Sequence, residues 1–176
     1  MRYLIPFLFF ISTAHAAPVE VCFVPSATQP SCTDLAVKQI AAAKTSIYVM
    51  AYSFTSKPIE LALVAAAKRG VKVEIILDKS NVGYKYSGLS VMQTAGISTT
   101  VDDSHAIAHN KIVIIDESVV IGGSFNYTNA AQHANAENMT VTKDAKIAAL
   151  YSANWKLHRA HAKDPKDVTP PPPRHP

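Results

Sequence analysis

Residues 111–122 contain two apolar runs, residues 112–115 (IVII) and 119–121 (VVI), separated by Asp116-Glu117-Ser118. Neither run alternates with polar residues, so a β-hairpin made from them needs cover on both faces. That places the hairpin inside a sheet and leaves few architectures open. The rest of the chain supplies the cover. Residues 33–43 read as a helix capped by Ser31 or Thr33, with Leu35, Val37 and Ile40 apolar. Residues 46–54 read as a strand. Pro58 suits the first turn of a helix that runs to about Arg69 and ends at Gly70. Residues 71–77 form the next strand, residues 78–88 a polar loop, residues 89–95 a short helix and residues 98–101 a short strand. Residues 139–141 give one more strand. Residues 144–162 form a final helix, with Ile147, Leu150, Tyr151 and Leu157 as its expected apolar stripe. Strands alternating with helices imply an α/β domain, a mixed β-sheet flanked by helices on both faces.

Residues 1–16 read as a cleaved signal peptide. Arg2 precedes the apolar residues 4–11, and Ala14-His15-Ala16 is an A-x-A site. The expected organisation is a signal peptide over residues 1–16, one catalytic domain over residues 17–164 and a flexible proline-rich tail over residues 165–176. The expected location is periplasmic or secreted, with no membrane anchoring once the signal is removed. An oxidising compartment makes a Cys22–Cys32 disulfide the default. No further cysteine and no nearby histidine would complete a metal site with that pair. The formal charge of +4, one unit of it from Arg2, permits an anionic partner without requiring one.

The chemistry concentrates in residues 109–126, HNKIVIIDESVVIGGSFN. His109 and Lys111 share one side of an extended chain, as do Ser124 and Asn126. With the turn at Glu117-Ser118, Lys111 faces Ser124 and His109 faces Asn126. An imidazole, an ammonium, a hydroxyl and an amide make a pocket for a tetrahedral oxyanion. No cluster of carboxylates accompanies them, as a two-metal nuclease would require, so neither metal nor cofactor is expected in the reaction.

His109, Lys111, Asp116, Gly123, Ser124 and Asn126 fill every position of H-x-K-x4-D-x6-G-S-x-N, and in this the chain resembles the phospholipase D superfamily. With AYSFTS (51–56), VEIILDKSN (73–81) and Ala136-Glu137-Asn138 it is similar to the superfamily's small Nuc-type endonucleases. The resemblance implies the phospholipase D-like fold and a set of roles. His109 is the nucleophile and forms a phosphohistidine. Lys111 and Asn126 bind the non-bridging oxygens, and Ser124 supports that pocket. Asp116 acts structurally or indirectly. Glu137 hydrogen-bonds the histidine.

Transfer through a covalent intermediate needs both a nucleophile and a separate acid. The chain carries one motif, since His105, His133, His158 and His161 lack its companions. The expected solution is a homodimer that pairs two copies of His109. His158-x-x-His161 reads as a solvated helix end in preference to a metal pair. The expected substrate is DNA or RNA, cut with little sequence preference. Lys57, Lys68, Arg69, Lys72, Lys79 and Lys85 are candidate phosphate contacts, and Tyr84 and Tyr86 are candidate stacking platforms. A lipid phosphodiesterase and a non-catalytic nucleic-acid-binding module are the competing readings.

Overall fold

The computed structural model describes residues 18–25 and 31–172; the expected signal peptide lies outside them. In chain order the elements are β1 (Val19–Val24), α1 (Cys32–Ala42), β2 (Ser46–Ala51), α2 (Lys57–Lys68), β3 (Lys72–Asp78), α3 (Leu89–Thr94), β4 (Ser98–Asp102), β5 (Lys111–Ile115), β6 (Val119–Gly123), α4 (Asn129–His133), β7 (Glu137–Lys143) and α5 (Ala145–His161). Among the described residues, seven strands form one open sheet in the order β1-β7-β6-β5-β2-β3-β4. β2, β3 and β4 run parallel through helical crossovers, and β5, β6, β7 and β1 continue antiparallel.

The Ile/Val hairpin occupies the centre of this order, as its composition demands. Alternate residues of β5 face opposite layers. Val113 and Ile115 join the larger core under α1 and α2, whereas Ile112 and Ile114 pack beneath α5. The chain is therefore an α/β domain with a mixed sheet between two helical layers. β1 and α4 are elements that the sequence analysis did not place. β1 pairs along its whole length with β7, and the Cys22–Cys32 disulfide ties it to the start of α1.

Three expectations are corrected. The hairpin pairs Ile115 with Val119 and Val113 with Ile121, one residue away from the expected register. Asp116 and Glu117 both adopt positive φ, 51° and 50°, and Ser118 N–H donates to the Ile115 carbonyl, so the turn closes one residue early. The α5 face is also different. Ala148, Ser152 and Trp155 are buried, while Ile147, Leu150, Tyr151 and Leu157 are exposed. Small side chains let the helix axis approach the sheet, and Trp155 Nε1 donates to the Val49 carbonyl at 3.1 Å. Finally, residues 165–168 of the expected flexible tail pack on the domain, and residues 173–176 lie outside the described residues. Pro165 and Val168 are buried, and the Lys163 backbone exchanges two 2.9 Å hydrogen bonds with Val101.

Candidate active site

The parallel strands β2, β3 and β4 all end at one edge of the sheet, where β5 begins and β6 finishes. Tyr52 follows β2, His109 is the next-to-last residue of the segment 103–110 and Lys111 opens β5. His109 is exposed and meets the edge of the Tyr52 ring, with centroids 4.6 Å apart. Lys111 is buried. Its Nζ donates to the His109 carbonyl at 2.7 Å and lies 5.2 Å from the Tyr52 centroid. Burial pulls the Lys111 ammonium below the usual lysine range, and the negative charge of Glu137 opposes that pull.

Gly123 brings in the opposite wall. Its φ is +145°, and a Cβ there would lie 2.4 Å from the Asn138 carbonyl oxygen. This close approach lets the amides of both Ser124 and Phe125 donate to that one carbonyl, as in a β-bulge. The chain leaves the sheet with the Ser124 hydroxyl donating to Glu137 Oε2 at 2.5 Å. Glu137 Oε1 accepts from Asn135 at 3.0 Å. The Asn126 side-chain oxygen is buried with no hydrogen-bond partner among the described residues. The tight turn thus shifts the register by one, and the glycine bulge restores Ser124 to the cleft.

The structure gathers five of the six candidates, His109, Lys111, Ser124, Asn126 and Glu137, at this edge. Glu137 bonds Ser124 and Asn135; no hydrogen bond joins it to His109 among the described residues, contrary to the expectation. Asp116 stands apart, a full strand from Lys111, or about 17 Å. Its carboxylate accepts from the amides of Lys44, Thr45 and Ser46 and from the Thr45 hydroxyl, so it fastens the hairpin turn to the α1–β2 connection. Three of the proposed phosphate-contact cations are also remote. Lys68, Arg69 and Lys72 lie at the other end of α2 and β3, where Arg69 caps the α1 carbonyls and Lys72 pairs with Glu74.

Sequence reading missed three supporting residues. Tyr52 forms the shelf between His109 and Lys111. Asp78 accepts the Ala108 amide at 2.7 Å, directly before His109. Asn81 Nδ2 donates to the Tyr52 carbonyl at 2.7 Å. Asp78 and Asn81 are buried polar residues inside VEIILDKSN, and that was their only signal. The His158-x-x-His161 pair is not a solvated helix end. Both rings, with His105, contact the buried carboxylate of Asp102. Burial alone would raise the Asp102 carboxyl, but hydrogen bonds from His158, His105, His161 and the Ser104 amide hold it well below the usual carboxylate range.

An open mixed sheet that presents one His, one Lys and a Gly-Ser-x-Asn bulge at a single edge defines a phosphodiesterase site of the phospholipase D type. The family model "Cardiolipin synthase, PLD-like domain" matches residues 36–158, and the chain belongs to this phospholipase D-like family. It is 43% identical over 150 residues to a protein named phospholipase D from Rickettsia conorii, covering 85% of this chain and 74% of that one. It is 27% identical over 140 residues to a mitochondrial cardiolipin hydrolase of Xenopus laevis, covering 80% and 67%. Among solved structures it resembles the phospholipase D family member Nuc from Salmonella typhimurium, with a TM-score of 0.78 and 36% identity over 84% of this chain and 97% of that one.

Proposed function

We propose that the chain is an exported endonuclease that hydrolyses nucleic-acid phosphodiesters through a phosphohistidine on His109, in a site shared by two copies. The observation that carries this is the placement of His109, Lys111 and the Ser124–Asn126 bulge around one cleft. Lys111 supplies the positive charge for the non-bridging oxygens, and the Asn126 side-chain NH2 is their further donor. His109 forms the N–P bond as the P–O bond to the leaving group breaks. The leaving oxygen takes a proton from the imidazolium of the second copy's His109. Water then attacks phosphorus, gives its proton back to that second imidazole and releases the first. Among the described residues, Glu137 is the one carboxylate hydrogen-bonded within this cluster, which suits a reaction without a two-metal centre.

The likeness to Nuc supports nucleic acid as substrate. So does the surface beside the cleft. A cavity of about 830 Å³ runs from Tyr52 past Asn81 and Tyr84 to Pro170–Pro172. Exposed Tyr84 lines it and meets exposed Tyr86 with ring centroids 5.7 Å apart, and Lys85 Nζ lies 4.6 Å from the Tyr86 ring centroid. The disulfide supports export.

The relatives named phospholipase D and cardiolipin hydrolase favour a second reading, a lipid phosphodiester as substrate. Parallel incubation with plasmid DNA and with cardiolipin vesicles separates the two, and plasmid nicking with intact vesicles is expected. Rapid quenching with a ³²P-labelled oligonucleotide should leave acid-labile, base-stable label on His109. Label on another residue, or none during turnover, would contradict the mechanism.

A further inference from the structure

Three of the histidines outside the cleft meet at one carboxylate. Asp102 ends β4 and is fully buried. His105 lies three residues on, in the segment that carries His109, and His158 and His161 sit in the last turn of α5. His158 Nδ1 lies 2.7 Å from Asp102 Oδ2, His105 Nδ1 2.9 Å and His161 Nε2 3.2 Å. One ligand atom from each of the four residues lies within 4.8 Å of all the others.

His105 Nδ1 also lies 3.1 Å from Oδ1, which accepts the Ser104 amide at 3.1 Å, so both carboxylate oxygens are engaged. The ring centroids are 5.0, 5.4 and 5.5 Å apart, so the three imidazoles surround one point beside the carboxylate, the arrangement of a metal-ligand cluster. A divalent ion among the four would take one lone pair from each ring in place of the hydrogen bonds to Asp102. Tetrahedral zinc with bonds of about 2.0–2.1 Å sets its ligand atoms roughly 3.3 Å apart. The three nitrogen-to-oxygen separations already lie near that spacing, and every pair of ligand atoms is within 4.8 Å. Three imidazole nitrogens and one carboxylate oxygen suit a zinc-class ion better than calcium or magnesium, which take oxygen shells.

We infer that Asp102, His105, His158 and His161 form a binding site for a zinc-class divalent ion, separate from the phosphodiester cleft, that clamps the His109-bearing segment to the end of α5. Four protein ligands close the coordination shell, so the ion is structural and activates no water. Each ligand binds through a lone pair, and a ring that carries a proton on the ligating nitrogen releases it on binding. The clamp adds to two ties already on that segment, Lys79 Nζ to the His105 carbonyl at 2.9 Å and Asp78 to the Ala108 amide. The site is complete within one chain and does not depend on which phosphodiester the cleft accepts.

The test uses the full chain, stripped with chelator, reloaded with Zn²⁺ or Co²⁺ and desalted. Wild type and His133→Ala should each retain one ion per chain and show the strong visible absorption of tetrahedral Co²⁺. The His105 side chain is half exposed, so His105→Ala keeps the fold. It should bind Zn²⁺ at least about tenfold more weakly, the scale of losing even an outer-shell partner. His158→Ala with His161→Ala should retain none. Zn²⁺ should slow hydrogen exchange at the amides of residues 107–110 in wild type and His133→Ala, but not in the His158→Ala, His161→Ala double variant. Equal retention by wild type and His105→Ala, no retained ion in wild type, or unchanged exchange at residues 107–110 would overturn the proposal.

Discussion

Asp78 never touches the expected position of the phosphate, yet it holds the backbone that presents the nucleophile. Its carboxylate takes the amides of Ala108 and Ser80 at 2.7 and 2.8 Å inside the protein. Asp78→Ala strands the buried Ala108 amide, at about 1–3 kcal/mol, and releases the half-buried Ser80 amide. Thermal denaturation should show that loss, and kcat should fall more than KM rises because His109 is misplaced. Asp78→Asn keeps one acceptor, enough for the Ala108 amide but not for both, and should recover part of each. Glu137 acts on Lys111 through charge. Burial lowers the Lys111 pKa and Glu137 raises it, so Glu137→Gln should lower it further. The alkaline limb of the pH–rate profile should therefore move to lower pH. A limb that stays in place would show that Lys111 does not set it.

The hairpin turn carries the next argument, because Asp116 joins elements rather than reacting groups. Burial raises its carboxyl pKa, but hydrogen bonds from the Ser46, Thr45 and Lys44 amides and the Thr45 hydroxyl outweigh that and leave it below its ordinary value of 3.8. A depressed folded-state pKa means stability that is fully present above the unfolded value and lost as pH falls through the folded one. Acid unfolding should therefore cost wild type stability below about pH 4 that Asp116→Asn, already weaker at neutral pH, does not lose. Urea midpoints at pH 7 and pH 3 measure both. The sequence made this hairpin legible through its Ile/Val runs, and the site through the spacing from His109 to Asn126. The register was not legible, because left-handed backbone at Asp116 and Glu117 is set by what the carboxylate binds seventy residues away. The buried face of α5 was not legible either. Sequence reading favours large apolar residues, whereas close packing on the sheet selects Ala148 and Ser152 around one Trp155. Asp102 and its three histidines are far apart in sequence, and only the meeting of β4 with α5 unites them.

For the molecule as a whole, the single motif is the decisive fact. One cleft supplies one His109, one Lys111 and one Ser124–Asn126 bulge, but phosphoryl transfer through histidine needs a nucleophile and an acid. Two copies related by a two-fold axis would provide both from identical residues. His109→Asn should fold, associate as wild type does and carry no activity. Mixing wild type with His109→Asn and allowing subunit exchange tests the shared site most directly. With a ninefold excess of the variant, random pairing leaves about a tenth of wild-type chains with a wild-type partner, so the rate per wild-type chain should fall about tenfold. An unchanged rate, with exchange verified by a tagged variant, would show that one His109 suffices and contradict the shared site.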